Sequence, residues 1–332
     1  MVRVFDIECD LPTKEAYEFR AEPSAKVAPG SGDTFRGREA ETVSGHGMVN
    51  YLNIFGPGYA AEVGMSPAEF DEKRRTMEPE ALFGELRRRL AAKAMSLDDF
   101  VALLRRAGVA KALVGTAQQP SNDYVVDVVR QHPDMFIGFA RISPWDGMAG
   151  VRELERLVRE GGLRGLAMAP FRERIPPNDR RYYPLYAKCV ELGIPVRLHT
   201  SMSYATDRAY DLGHPRNLDD IAMDFPELTV IAGLGGWPWV PDMVALARRY
   251  PNLYIDTAAH RPRHFATHGS GWEMLLQFGN TLIQDKVMVG LSWLTLSQPY
   301  ETLIDEVMAL PLKDSVKEKW LYHNAARVMG IE

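Results

Sequence analysis

Ser96-Leu97-Asp98-Asp99 opens a helical stretch that closes at Arg105-Arg106-Ala107-Gly108, and Lys111-Ala112-Leu113-Val114-Gly115-Thr116 follows at once. Ser96 can cap the first turn, the two aspartates oppose the positive end of the helix dipole, and the arginines and glycine suit its other end. The short apolar run after it reads as a buried strand. From about residue 94 onward this unit recurs, which predicts parallel strands joined by helical crossovers.

Working outward from that unit, the strand candidates are Val2 to Glu8, Lys111 to Thr116, Met135 to Ile142, Leu163 to Ala169, Ile194 to His199, Leu228 to Gly233, Leu253 to Thr257 and Lys286 to Ser292. Helices are expected near Pro120, Pro184, Pro215, Val240, Ser270, Pro299 and Leu312. Eight strands in this rhythm specify an α/β fold of the (β/α)8 TIM barrel type, and 332 residues suit one such domain over 1–332. The stretch of about 11–95 breaks the rhythm, with Pro29 to Asp33 and Gly56-Pro57-Gly58 as turn signals. A structureless loop of that length is uncommon. Partial helix near Ser66 to Lys93 is expected, with the insertion after the first strand forming a glycine-hinged lid that brings His46, Tyr51 or Asn53 toward the barrel mouth.

Composition narrows the function classes. A charge of -5, with Arg105-Arg106 and Arg248-Arg249 inside amphipathic patterns, offers no basic stripe for nucleic acid. No apolar run reaches membrane-spanning length. Cys9 and Cys189 cannot make a disulfide framework, and the first residues lack a secretory pattern, so a cytoplasmic protein is expected.

Barrel chemistry belongs at the carboxyl ends of the strands. The first strand runs Phe5-Asp6-Ile7-Glu8-Cys9-Asp10, and a two-residue period would put Asp6, Glu8 and Asp10 on one face. Three neighbouring carboxylates demand a cation, either a metal or an arginine. In the fifth strand the same period sets Arg197 and His199 on one face. A buried guanidinium needs a carboxylate partner, so Arg197 is expected to pair with Glu8, Asp6 or a bound anion. Beyond the sixth strand, Gly233-Leu234-Gly235-Gly236-Trp237 combines close-approach glycines with a flat apolar wall. His260, His264 and His268 follow the seventh, a possible second metal site, although Pro262 and Gly269 argue for a loop. His132, His214 and His323 read as structural.

Four segments carry a resemblance: Gly193-Ile194-Pro195-Val196-Arg197-Leu198-His199-Thr200, Asp224-Phe225-Pro226-Glu227-Leu228-Thr229-Val230-Ile231-Ala232, Tyr250-Pro251-Asn252-Leu253-Tyr254-Ile255-Asp256-Thr257 and Asn324-Ala325-Ala326-Arg327. In these the chain resembles the amidohydrolase-related family, on the branch of the aminocarboxymuconate semialdehyde and resorcylate decarboxylases. The resemblance implies metal ligands after strands one, five, six and eight. Those positions here read Glu8 and Asp10, His199, Gly233, and Ser292 within Gly290-Leu291-Ser292-Trp293. A serine hydroxyl is a poor ligand and no base at neutral pH, and glycine removes an imidazole outright.

The resemblance thus implies a hydrolase or non-oxidative decarboxylase of a small carboxylated, ring-containing substrate. One divalent ion (Zn, Mn or Mg) would be held weakly by Glu8, Asp10 and His199, with Asp10, His199 and Glu8 as the catalytic set. Arg197, His46, Trp237, His260 and Ser292 would bind substrate, and a homodimer is the expected assembly. Two alternatives stand beside it: metal-free lyase, isomerase or cyclase chemistry with Glu8, Asp10 and His199 as acid and base, and a non-catalytic ligand-binding barrel.

Overall fold

The apolar runs become short parallel strands: β1 Val4–Asp6, β2 Val109–Val114, β3 Phe136–Gly138, β4 Ala140–Arg141, β5 Leu166–Met168, β6 Val196–His199, β7 Val230–Gly233, β8 Leu253–Asp256 and β9 Val287–Met288. The computed structural model describes residues 2–21, 46–117 and 119–331. The strands form two parallel ladders in sequence order, β1 to β3 and β4 to β9. Backbone bonds close the gaps between them. Phe139 N–H donates to Val114 O at 2.9 Å, Ala140 N–H to Gly165 O at 2.8 Å, and Ile7 N–H to Val289 O at 3.1 Å. The third expected strand is therefore one stave written as two segments, and eight staves make a TIM barrel.

Side-chain alternation sorts the staves into two layers. Phe5, Ile7, Leu113, Ile137, Phe139, Ala167, Ile231 and Met288 pack together inside the barrel. Val4, Val114, Leu166, Val196, Leu198, Val230 and Ile255 pack outward against helix residues such as Leu104, Leu154 and Leu303. Each such fully buried side chain contributes about 1.5–3 kcal/mol of transfer free energy. The crossover helices start where local chemistry dictates. Ser96 Oγ accepts from Asp99 N–H at 3.1 Å, and Ser121 Oγ from Tyr124 N–H at 3.1 Å. Gly193, at φ 65°, ends the helix Tyr183–Leu192 in the left-handed conformation that a side chain would resist.

Of the insertion expected over about 11–95, residues 22–45, with Pro29 to Asp33, lie outside the described residues, and in the remainder one expectation is corrected. The helical region near Ser66 to Lys93 is present as Pro67–Thr76 and Pro79–Ala91, divided where Pro79 opens a new helix. Gly56-Pro57-Gly58, however, is no hinge: it lies inside a helix, His46–Glu62. Its glycines serve packing. A Cβ on Gly56 would lie 2.6 Å from the Phe70 ring, and one on Gly58 would lie 2.9 Å from Ser297 Cβ. This helix joins Phe70, Phe83, Leu86 and Leu294 in a second small core at the carboxyl ends of the strands. Among the described residues, no helix is long and apolar enough to cross a membrane.

Candidate active site

β1 stops at Asp6, and there the two-residue period lapses. Phe5 and Ile7 belong to the barrel interior, so Asp6 faces the outer layer, where Tyr300 Oη donates to its Oδ2 at 3.1 Å and Leu291 N–H to its Oδ1 at 2.8 Å. Burial nevertheless pushes the Asp6 carboxyl up to about 7. Glu8 N–H bends back onto Asp6 Oδ1 at 3.2 Å, and past that bend Glu8 and Asp10 turn into the cavity at the mouth. The expectation of three carboxylates on one face is corrected to two.

On β6, Val196 and Leu198 pack outward, which sends Arg197 and His199 inward. Arg197 is 3% exposed. Its Nη2 lies 2.6 Å from Glu8 Oε2, the expected pairing. A second partner went unforeseen: Nε donates to Asp256 Oδ2 at 2.6 Å and Nη2 to Oδ1 at 3.1 Å. Asp256 ends β8, and its Oδ1 also accepts the N–H groups of Leu234 (3.1 Å) and Ala258 (3.0 Å). The missed signal was an acid at a strand's carboxyl end, on the same inward face as a buried arginine. Burial alone would lower the arginine's pKa, but Asp256 and Glu8 hold it above its ordinary value. Glu8 itself is raised by burial, against the pull of Arg197.

Ser292 is fully buried and lies behind Glu8 instead of lining the cavity. Its Oγ donates to Glu8 Oε1 at 2.9 Å and accepts from Ala259 N–H at 2.8 Å. The expected substrate contact by Ser292 is thus replaced by a structural one. Gly233 pairs with His199 across β6 and β7, and a Cβ there would lie 3.1 Å from Arg197 Nη2 and 3.2 Å from Cζ. The glycine leaves its space to the guanidinium.

Above this floor lies a cavity of about 1350 Å³. His199, Trp237, His260, Tyr51, Arg141 and Arg172 are in its walls. His199 Nδ1 and His260 Nε2 are buried and have no hydrogen-bond partner in the described structure. Burial, reinforced by Arg197 and Arg172, holds His199 down to about 3. Burial, partly offset by Asp256, holds His260 down to about 4. Both imidazoles are therefore neutral near pH 7, and both residues line the cavity. Aromatic rings flank them: Phe171 stands edge-on to His199 at 4.6 Å, and Trp237 lies 5.8 Å from His260. Arg141 and Arg172, which sequence reasoning passed over, add cationic character. Burial lowers both, Arg172 to about 10.

The remaining candidates separate. Tyr51 reaches the cavity, with its hydroxyl 3.3 Å from that of Tyr59, whereas Asn53 is exposed and accepts from Arg74 at 2.6 Å. His46 opens the helix His46–Glu62, but its side chain lies outside the described residues. His264 reaches the rim on a short turn, Pro262–His264, and His268 is exposed, so the triple-histidine site does not form. His132 pairs with Asp98 at 2.9 Å, and the His214 ring lies 4.4 Å from Trp239. Both are structural.

The profile of the amidohydrolase family matches residues 50–331. The chain belongs to that family. It is 32% identical over 136 residues to 2-keto-4-carboxy-3-hexenedioate hydratase of a Sphingobium species, covering 36% of this chain and 40% of the relative. It is 33% identical over 101 residues to γ-resorcylate decarboxylase of a Polaromonas species, covering 28% and 31%. The chain thus spans less than half the length of these curated relatives. Among solved structures, a TIM-barrel protein from Bordetella bronchiseptica superposes with a TM-score of 0.65 at 22% identity over 99% of both chains. A dihydroxybenzoic acid decarboxylase from Polaromonas, with bound manganese and 2-nitroresorcinol, has a TM-score of 0.55 at 18% identity over 78% of this chain and 92% of its own. These likenesses share the barrel.

The residues of this amidohydrolase-family site do not fit a metal of that kind. Among the described residues, no three His, Cys, Asp or Glu side chains stand together as donors, so the expected set Glu8, Asp10 and His199 does not assemble. Both Glu8 oxygens are already engaged, one by Arg197 and one by Ser292.

Proposed function

We propose that the chain is an enzyme acting on a small, ring-containing carboxylate by non-oxidative decarboxylation. The observation that carries this reading is a cavity walled by aromatic rings, arginines and two imidazoles, His199 and His260, each of which keeps one buried nitrogen without a partner. A polar atom buried without a partner costs about 1–3 kcal/mol, and a ligand that supplies the missing bond recovers it. Neutral imidazoles suit hydrogen-bonded contact with phenol or carboxylate oxygens, the arginines suit the negative charge, and the rings suit a flat substrate.

In this reading Glu8 is held by Arg197 and Ser292, and Asp10, which lines the cavity beside it, handles the proton. Asp10 passes a proton from solvent to the ring carbon that bears the carboxylate. The bond to that carboxylate then breaks, its electron pair returns to the ring, and carbon dioxide leaves. His199 and His260 hold the ring oxygens in register for that transfer. Family membership and the partial matches to decarboxylases support this assignment.

The test is incubation with a panel of hydroxylated benzoates, including γ-resorcylate, following ring absorbance and carbon dioxide release. Turnover is expected for at least one acid, falling by about 10²- to 10⁴-fold in Asp10→Asn. The absence of both turnover and saturable binding for every panel acid would refute the proposal. The match to a hydratase adds a second arm, an unsaturated keto-diacid followed for water addition.

A further inference from the structure

We infer that Arg197 stands in place of the metal ion in this barrel, and that the site does its work without a divalent cation. Three observations carry the inference independently. First, the guanidinium is the counter-charge to the carboxylates at the ends of β1 and β8, with contacts of 2.6 Å to Glu8 and 2.6 Å to Asp256. A cation added beside it would face the positive charge already there. Second, the guanidinium fills the space in front of Gly233, the position where the family resemblance would set a ligand: even a Cβ would approach Nη2 to 3.1 Å. A side chain at 233 would require the guanidinium to give way. Third, Ser292, at the other lost ligand position, spends its hydroxyl bridging Glu8 and Ala259 N–H. The substitutions at 233 and 292 are therefore parts of one arrangement, in which a fixed organic cation takes over the electrostatic role of an ion. Arginine keeps its charge at any physiological pH and holds carboxylates in a fixed fork.

The binding arm of the test does not depend on the proposed activity. Protein is grown in manganese- and zinc-supplemented medium, purified without chelator and subjected to elemental analysis. It is then titrated with Mn²⁺ while the imidazole NMR signals of His199 and His260 are followed. The expected result is far less than one ion per chain, with both signals unbroadened by Mn²⁺. An ion that leaves both signals intact is held elsewhere and supports the inference equally. Stoichiometric metal whose removal restores broadened His199 signals would overturn it. A triple variant, Arg197→Ala with Gly233→His and Ser292→Asp, should gain the manganese that the parent refuses. Should the triple variant not fold, the parent titration decides alone. If a panel acid is turned over, chelator should leave the rate unchanged. Chelator-sensitive turnover would overturn this inference while sparing the decarboxylase reading, whereas absent turnover would count only against that reading.

Discussion

The floor and the walls of the cavity are built on opposite principles. In the floor, Glu8, Arg197, Asp256 and Ser292 satisfy one another with contacts of 2.6 to 3.1 Å. In the walls, His199 and His260 each keep a buried nitrogen without a partner. A saturated buried network holds its members in one geometry, and losing any one strands the others. An unsaturated wall carries a standing penalty that a ligand relieves. Substitutions in the floor should therefore be read out chiefly in stability, and substitutions in the walls chiefly in function.

Arg197→Met should show the largest effect. It leaves Glu8 and Asp256 facing each other without their cation, a loss of about 3–5 kcal/mol. Urea unfolding should move accordingly, and an unchanged midpoint would break the contrast at its strongest point. His199→Ala should act the other way, lowering turnover by about 10²-fold or more while leaving the unfolding midpoint nearly in place, since the imidazole nitrogen it removes has no partner to lose. Equal losses of stability in both variants would erase the distinction between floor and wall.

Gly233→Ala is a smaller perturbation of the floor. The new methyl group would press on Nη2 at 3.1 Å and on Leu198 O at 3.1 Å, an overpacking cost of about 1–3 kcal/mol. Stability unaffected by this change would mean that the guanidinium has room to move, which would weaken the case for its fixed role.

The smallest effect concerns pH. His260 is held down to about 4 against an ordinary 6.5. The unfolded chain therefore takes up its proton first as pH falls, and the stability tied to the neutral imidazole, fully present above about 6.5, is lost between there and about 4. Asp6, held up to about 7, acts with the opposite sign, because the folded chain takes up that proton first. The clean readout is thus the difference between His260→Gln and the parent, measured by urea unfolding at pH 7.5 and at pH 5. The variant should lose less stability on acidification, and parallel losses would contradict the assignment.

How much of this was legible in the sequence depended on whether a local rule stayed valid. The barrel was readable because short apolar runs alternate with amphipathic helices along most of the chain. The Arg197 and Glu8 pair was readable because a buried guanidinium must find a carboxylate. Asp256 was not, since an acid ending a strand looks the same whether it faces solvent or a guanidinium. Asp6 was misassigned because the two-residue period holds only while the chain stays extended, and β1 ends at that residue. Gly56-Pro57-Gly58 looked like a hinge. The reason for its glycines, close contact with Phe70 and Ser297, comes from residues distant in the chain.

The central claim, that the floor is closed and the walls await a ligand, is most directly tested by a high-resolution structure with an aromatic carboxylate bound. The account predicts ligand oxygens within hydrogen-bond distance of His199 Nδ1 and His260 Nε2, with Arg197 still paired to Glu8 and Asp256. A ligand that draws Arg197 away from both carboxylates, or that leaves both imidazole nitrogens unpartnered, would contradict it.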